Sequence, residues 1–567
     1  MNRRSFAKEK DHRVFEEAIP GDGNEALPAI RRLGPADRGG GFFLRNLRAL
    51  LILLSSLSLL LLAPNGGEAS VGSRYLTLDH WAYEGIRLLQ GAGYLQNLAP
   101  LIQPYHRAEV AREVRALEPE RLPPALAHWA RLLREEFAGE GEAGDGEAGD
   151  GGAGDGGEGW GTWIEGGARA STSGRPDPLR PFGDDANLWP YGRVAGWVVA
   201  GPAALEVILL GDRFLAEDPD GIDPQRRIGR SETAYLSVAV PFGEVVIGRF
   251  ARNWSRLGTS GLQVGQKATP YPQVGLELHA GRFSLHSFLG ELDSFVGEPD
   301  TLQGQKRYLA AHRVDLAWPS VALSFGESIL FAGHQTGFPL RHLNPVEVFY
   351  FDSDAEPMDV TQNLMLDASL WLRRGSFETY GEILLDDIDL APPEGADREP
   401  TTYAFTVGGR WTLPSGGHTV GLEYTQVSAW AYRTPNEVDR YSYLERGLGE
   451  NYSDFDRLGV WADVLAPWPE FRLTPTVEFL RQGEGDFRSP VPPYPEFLAS
   501  PNLFLGTRET TLRIGLRGRY QPQSRFWLGW DAGPNIISNR GNQPGADETT
   551  FSAAVEAGLR FDLVSAR

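Results

Sequence analysis

The chain has 567 residues, no Cys, 15 Trp and a formal net charge of −21. The missing thiols exclude a disulfide framework, a cysteine nucleophile and a thiolate metal site, and the acidic balance argues against nucleic acid, whose phosphates it would repel. The 68 Gly, 40 Pro and 11% aromatic residues describe a chain rich in turns and in rings that suit membrane interfaces as well as cores.

Residues 1–44 are polar and unpatterned. We set them aside as an unassigned N-terminal extension, either a misplaced start or a disordered tail. Across 45–69, Arg45 and Arg48 precede the apolar run Ala49–Ala63, and Gly67 and Ala69 offer a cleavage point after Ala69. Charged, apolar and small-residue regions in that order form a secretory signal. The run is about 15 residues, where a spanning helix needs roughly 20. A cleaved signal is therefore expected over a retained anchor, and no second comparable run follows, so any membrane spans must be strands.

Residues 70–138 read as a module of three helices. Asp79 is placed to cap a helix carrying Trp81, Tyr83, Ile86, Leu88 and Leu89, which ends near Gly91 or Gly93. Pro104 precedes a second helix with Ala108, Val110, Ala111 and Val114. Pro123 and Pro124 open a third with Leu126, Trp129, Leu132, Leu133 and Phe137. Residues 139–158, GEGEAGDGEAGDGGAGDGGE, repeat a five-residue GEAGD unit that can bury nothing. This is a flexible acidic linker spanning about 25 Å on average, without the ligand-bearing turn a calcium loop needs. It predicts a helical module tethered to the next domain rather than fused to it.

From 159 to 567 the period is two. In 363–373, Asn363, Met365, Asp367, Ser369, Trp371 and Arg373 take one face, and Leu364, Leu366, Ala368, Leu370 and Leu372 the other. The same alternation recurs at 402–413, 509–517 and 551–563. Repeated over segments of about ten residues, it is the signature of transmembrane strands. About eighteen strands are predicted, near 160–170, 191–200, 203–212, 231–240, 243–250, 271–279, 282–290, 306–316, 319–328, 359–373, 376–386, 402–413, 416–427, 456–465, 471–482, 508–520, 524–532 and 549–563. Short turns such as Pro241–Phe242, Ala280–Gly281 and Gly375 alternate with long loops such as 251–270, 329–358, 428–455 and 483–507. Outer-membrane barrels pair short periplasmic turns with long external loops. The fold class expected is an all-β transmembrane barrel at the cell outer membrane, among outer-membrane lipids, with both termini and the helical module on the periplasmic side.

Charged residues on strand faces must point into the lumen, because in lipid each would cost a few kcal/mol. They form a predicted lumen network of Arg249, Asp367, Glu378, Glu382, Asp386, Glu423, Glu478, Arg513, Arg517, Glu556 and Arg560. Mixed signs point to a filled, ion-paired interior more than to a selective pore, which shows rings of one sign. Asp386 and Asp387 are adjacent and so face opposite ways in a strand, which removes them as an acid/base pair. His312, His334, His342 and His418 show no ligand spacing, and no nucleophile motif is present. We therefore expect no enzyme, no metal and no cofactor. The loop 428–455 carries Trp430, Tyr432, Arg433, Tyr441 and Tyr443, and 483–507 carries Phe487 and Tyr494. Flat rings beside Arg suit sugars and acidic sugars, and the competing reading is an aromatic belt with loop-on-loop packing.

Several stretches resemble the capsule assembly proteins of the Wzi family. Gly248-Arg249 leads to Asn253-Trp254 and Gly258–Leu262. Ala311-His312-Arg313, Phe325-Gly326-Glu327-Ser328, Leu343-Asn344-Pro345 and Tyr380-Gly381-Glu382 through Asp386-Asp387 follow in the family's order across 230–390. Ser255 departs from the family's Gly-Pro after Trp. The resemblance implies an eighteen-stranded barrel with a periplasmic helical bundle, which attaches capsular polysaccharide to the cell surface without catalysis. It adds Trp254, Arg256, Arg341 and Asn344 to the candidate polysaccharide-binding residues. Asp79-His80-Trp81-Ala82-Tyr83 with His106-Arg107-Ala108-Glu109 also resembles a single S-layer homology repeat. That likeness implies a cell-wall polymer as partner and favours the alternative function, an outer-membrane porin or substrate channel held to the wall.

Overall fold

The computed structural model describes residues 72–140 and 158–566, apart from 184–185, 222–227, 295–305, 334–339, 353–359, 387–401, 414–416, 466–467, 493–496 and 498–499. The extension, the signal segment and residues 141–157 of the linker lie outside the described residues. The chain opens with three helices, α1 Ala82–Gly91, α2 Arg107–Arg115 and α3 Pro124–Glu136. Eighteen barrel strands follow, with a separate two-stranded ribbon of Ser442–Tyr443 and Arg446–Gly447. The first nine are β1 Gly159–Ser171, β2 Asn187–Ala200, β3 Ala203–Asp212, β4 Gly229–Val240, β5 Gly243–Phe250, β6 Tyr271–Ala280, β7 Phe283–Glu291, β8 Lys306–Trp318 and β9 Val321–Gly333. The rest are β10 Val360–Arg374, β11 Phe377–Asp386, β12 Thr402–Thr412, β13 Thr419–Val427, β14 Phe455–Leu465, β15 Phe471–Gln482, β16 Glu509–Gln523, β17 Phe526–Ser538 and β18 Glu548–Ala566. Every neighbour pair is antiparallel, and β1 pairs with both β2 and β18, so the sheet closes.

The strands form where the alternation predicts them, and several run longer. Pro190 lies within β2 and Pro534 within β17, beyond the predicted bounds 191–200 and 524–532. At Pro534 the ladder to β16 skips Gly533 and Pro534 while the ladder to β18 continues. The missing N–H therefore falls where no bond is needed. Gly281 and Gly375 make the tight β6–β7 and β10–β11 turns at φ +64° and +61°, the left-handed backbone that short hairpins demand.

Among the described residues no helix is long and apolar enough to cross a membrane, and the barrel crosses with strands instead. Val194, Ile247, Phe325, Val407, Ile514 and Phe551 are between 47% and 63% exposed on its outer wall. In water such a surface would be an aggregation patch. Facing lipid, it is the apolar band that a barrel requires.

The expected loose tether between helices and barrel is corrected by the structure. The helices share a core of Trp81, Ile86, Leu89, Val110, Trp129 and Leu133, and they are docked into the short-turn end of the barrel. Backbone bonds join Gly72 N–H to Gly201 O at 2.9 Å, and Gln103 and Asn253 reciprocally at 2.8 and 3.0 Å. Arg87 pairs with Asp463 at 2.7 Å, Arg472 with Glu84 at 3.0 Å and Arg560 with Glu136 at 3.1 Å. The linker's composition speaks only for the linker, whereas docking is set by charges on α1, α3 and the wall that meet only when the barrel closes. Asp79 also differs from expectation. The residue before α1 is Trp81, with no side-chain cap, and Asp79 is instead ion-paired with Arg193 of β2.

Candidate functional site: a filled lumen and a cleft between the long loops

Alternation on the strands sends one face inward, and what meets it is the loop 251–270. Trp254 is 1% exposed, beside Phe288 of β7. Ser255 Oγ donates to Glu382 Oε2 at 2.9 Å and lies 2.7 Å from the Tyr380 hydroxyl, while Leu262 N–H donates to Glu382 Oε1 at 2.6 Å. Arg256 reaches Glu423 at 3.0 Å and Glu378 at 3.7 Å, and Glu378 also takes Arg410 at 2.8 Å. Above this layer sits the loop 428–454. The Tyr432 and Tyr441 hydroxyls donate to Leu262 O and Gln263 O at 2.7 and 3.0 Å, and Tyr432 N–H donates to Asp386 at 2.6 Å. Helices, inward loop and surface loop thus form one stack through the barrel. Arg256, Glu378, Glu382, Asp386 and Glu423 in it each have a partner, as burial of charge requires, whereas Asp367 of β10, 5% exposed, keeps a carboxylate oxygen without a hydrogen bond.

The remaining inward charges are arranged differently. On β15–β18 and β1, Arg517 pairs with Glu478 at 2.8 Å and Asp531 at 3.3 Å, and Glu556 with Arg169 at 3.5 Å. Arg517 keeps 44% and Glu556 39% of its side chain accessible, so water reaches this side of the lumen. Arg513, fully buried, bonds Asn535 at 2.9 Å, Gly533 O at 3.1 Å and Asp531. Arg249 departs from the predicted network. It falls on the outward parity of β5 with Val245 and Ile247.

At the long-loop end, residues 175–183, 219–221, 445–453, 482–488 and 537–542 enclose a cleft of about 850 Å³. Arg175, Arg180, Arg488 and Arg540 line it with Asp220, Glu445, Glu484 and Asp486, and Phe182 and Tyr452 add rings. Arg175 holds Asp220 through both guanidinium arms at 3.0 and 3.1 Å, and Tyr452 donates to the same carboxylate at 2.9 Å. Arg180 lies 4.0 Å over the Tyr452 ring. Burial raises the Asp177 carboxyl, but the Arg180 guanidinium at 2.7 Å and the Leu179 N–H outweigh it and hold the group below its ordinary value. Phe182 is 52% exposed at the cleft.

No protein-family model and no curated protein matches the chain. The chain is similar in fold to Escherichia coli Wzi, described as an outer membrane protein involved in group 1 capsule assembly and a carbohydrate-binding β-barrel. The two share 12% identity with a TM-score of 0.58, over 86% of this chain and 100% of that one. The outer membrane channel DcaP of Acinetobacter baumannii shares 11% identity over 71% of this chain and 96% of that one, with a TM-score of 0.35. Pseudomonas aeruginosa OccK3 (OpdO) shares 10% over 71% and 96%, with a TM-score of 0.41. At these identities the likeness is one of fold: the protein is an outer-membrane β-barrel.

The structure distributes the sequence-predicted polysaccharide residues unevenly. Trp254, Arg256, Trp430, Tyr432, Arg433, Tyr441, Tyr443 and Phe487 are each at most 6% exposed. Their rings offer no open face to a sugar, and they build the stack instead, as the loop-packing reading anticipates. Arg341 and Asn344 are exposed but lie on a segment, 340–352, that crosses the outer wall. There Glu327 of β9 accepts Phe349 N–H at 3.0 Å and bonds Tyr350 N–H, with His312 of β8 at 3.2 Å. Tyr494 lies outside the described residues. The cleft residues Arg175, Arg180 and Phe182 carry no motif. A signal existed only in Tyr452 and Arg488, within the aromatic loops. The S-layer-like residues are engaged by the barrel and their own module. His80 pairs with Glu136 at 3.3 Å, Arg107 with Glu136 at 2.8 Å and His106 with Glu244 at 3.1 Å.

Proposed function

We propose that this protein holds surface polysaccharide at the outer face of the outer membrane, as a non-catalytic binding barrel related to the Wzi family, with its helical module in the periplasm. The observation that carries this reading is the cleft of about 850 Å³ between the long loops, which combines four Arg with carboxylates and an exposed ring. That volume lies in the range of ligand sites. Guanidinium groups suit sugar carboxylates and hydroxyls, and Phe182 offers a stacking face. The carbohydrate binding stated for E. coli Wzi supports it, as does the stack that fills much of the lumen. Binding of acidic capsular oligosaccharide to the detergent-purified protein tests it by calorimetry. Phe182→Ala is expected to weaken binding about two- to ten-fold, the loss of one aromatic contact, and Arg488→Ala further. Equal affinity in wild type and the double variant would sink the proposal.

A second reading is favoured by one observation, the accessible ion pairs Arg517–Glu478–Asp531 and Glu556–Arg169. They describe a wet side of the lumen that could admit small solutes. Planar-bilayer recording separates the two: a stable large conductance from the native protein supports the channel, and its absence supports the binding barrel.

A further inference from the structure

Where the helical module meets the barrel, a row of side chains stands at one level on three neighbouring strands. Glu244 of β5 is paired in register with Glu277 of β6, and Glu277 with His286 of β7. All three point inward and are at most 7% exposed. Two carboxylates directly opposite on adjacent strands repel one another, and burial sharpens the cost. From the helical module, His106, the residue before α2, reaches in. Its Nε2 lies 3.1 Å from Glu244 Oε2, and the ligating atoms of His106, Glu244 and Glu277 lie within 4.8 Å of one another.

The partners already present do not exhaust the cluster. Arg252 occupies Glu277 Oε1 at 2.9 Å, which leaves Oε2 turned toward His286 Nδ1 at 3.6 Å. Tyr75 donates to Glu244 Oε2 at 2.9 Å. His286 is 3% exposed, yet neither ring nitrogen makes a hydrogen bond, and His106 Nδ1 lacks one as well. A buried imidazole without a partner for its nitrogens is costly unless something else binds there. The cluster also has an entrance. It forms part of the lining of a cavity of about 890 Å³ between the helices and the short turns.

We propose that His106, Glu244, Glu277 and His286 form a binding site for one divalent transition-metal ion of the zinc class, which staples the helical module to the barrel wall. Two imidazoles and two carboxylates make a nitrogen–oxygen set of the kind zinc takes four at a time. Ligands held about 2 Å from a tetrahedral ion sit roughly 3.3 Å apart, so drawing in His106, Glu244 and Glu277 from within 4.8 Å of one another needs adjustments of up to about 1.5 Å, with His286 closing from Glu277 Oε2 at 3.6 Å. The ion would neutralise the opposed carboxylates and give the His286 nitrogen its partner. It would also couple metal binding to docking, because His106 comes from the helices and the other three ligands from the wall.

The test uses the full chain without an affinity tag, purified in detergent, stripped with EDTA and titrated with Zn²⁺ by calorimetry. The expected result is one ion per chain with micromolar or tighter affinity. Co²⁺ in its place should give the intense visible bands of a tetrahedral site. His106→Gln and His286→Gln should each weaken binding ten-fold or more, while His418→Gln, remote from the cluster, leaves it unchanged. Heat-modifiable gel migration shows that each variant retains its barrel. In the wild type alone, Zn²⁺ should slow trypsin cleavage within the helices. Binding no tighter than millimolar overturns the proposal. So does an ion held equally well by both histidine variants, which would mark it as adventitious.

Discussion

Glu136 shows how single side chains hold this molecule together. It sits at the end of α3 and takes Arg107 at 2.8 Å, Arg560 of β18 at 3.1 Å and His80 at 3.3 Å. Burial alone would raise its carboxyl, but Arg560, His80 and Arg107 outweigh that and hold it well below its ordinary value. A carboxyl depressed in the folded state contributes stability that is present above its unfolded value, about 4.3, and is lost as pH falls through the folded value. Docking of α3 should therefore weaken below about pH 4.3, read as faster cleavage by pepsin, which works at acid pH, around Leu132 and Leu133 of α3. Glu136→Gln should remove most of that pH dependence and cost about 1.5–3 kcal/mol at neutral pH, the range for a charged hydrogen bond. An unchanged pH profile in the variant would contradict the assignment. Such pairs were half legible in the sequence. Alternation puts Arg560 in the lumen, but nothing in a linear pattern says that its partner lies on a helix more than 400 residues earlier.

The loop 251–270 carries the motif residues that the family resemblance rests on, and its structure supplies their reason. Asn253, Ser255, Arg256 and Leu262 fix the loop to Gln103, Glu382, Glu423 and Glu378, so the loop binds β11, β13 and the helices at once. The stretches Ala311-His312-Arg313, Phe325-Gly326-Glu327-Ser328 and Leu343-Asn344-Pro345 likewise meet on the outer wall, where Glu327 and His312 anchor the segment 340–352. Leu289, Tyr308, Ile329, Phe331 and Phe349 pack around that anchor. Removing residues 255–263 should open the lumen, because Ser255 and Leu262 bridge Glu382 to Tyr432. Bilayer recording is expected to show a conductance in the deletion well above that of the native chain. Glu382→Ala should move the same way more weakly, since it leaves the Leu262 N–H unpaired, at about 1–3 kcal/mol, while the Ser255 hydroxyl keeps Tyr380. The sequence marked this segment as a long external loop. It could not mark it as one that turns inward, because its contacts come from five other segments.

The barrel as a whole was the most legible feature, and the reason is geometric. A strand's side chains alternate with period two, so a wall between lipid and a polar interior writes its two faces directly into the chain. Val407 of β12 is 47% exposed on the outer wall between the inward Thr406 and Gly408 neighbours. Val407→Arg should cost about 2–4 kcal/mol if that position lies near the bilayer midplane, measured by urea-dependent folding into vesicles. Thr406→Arg tests the inner face, where overpacking rather than lipid sets the penalty. Composition and alternation by themselves determined the barrel, its eighteen strands, the asymmetry of its two ends and the three helices before it. Only the tertiary structure decided that the helices dock, that the aromatic loops pack inward, that a different set of Arg and rings lines the outer cleft, and that Glu244, Glu277, His286 and His106 converge. Local patterns report the environment of each face, whereas these contacts join residues hundreds of positions apart and exist only once the sheet has closed.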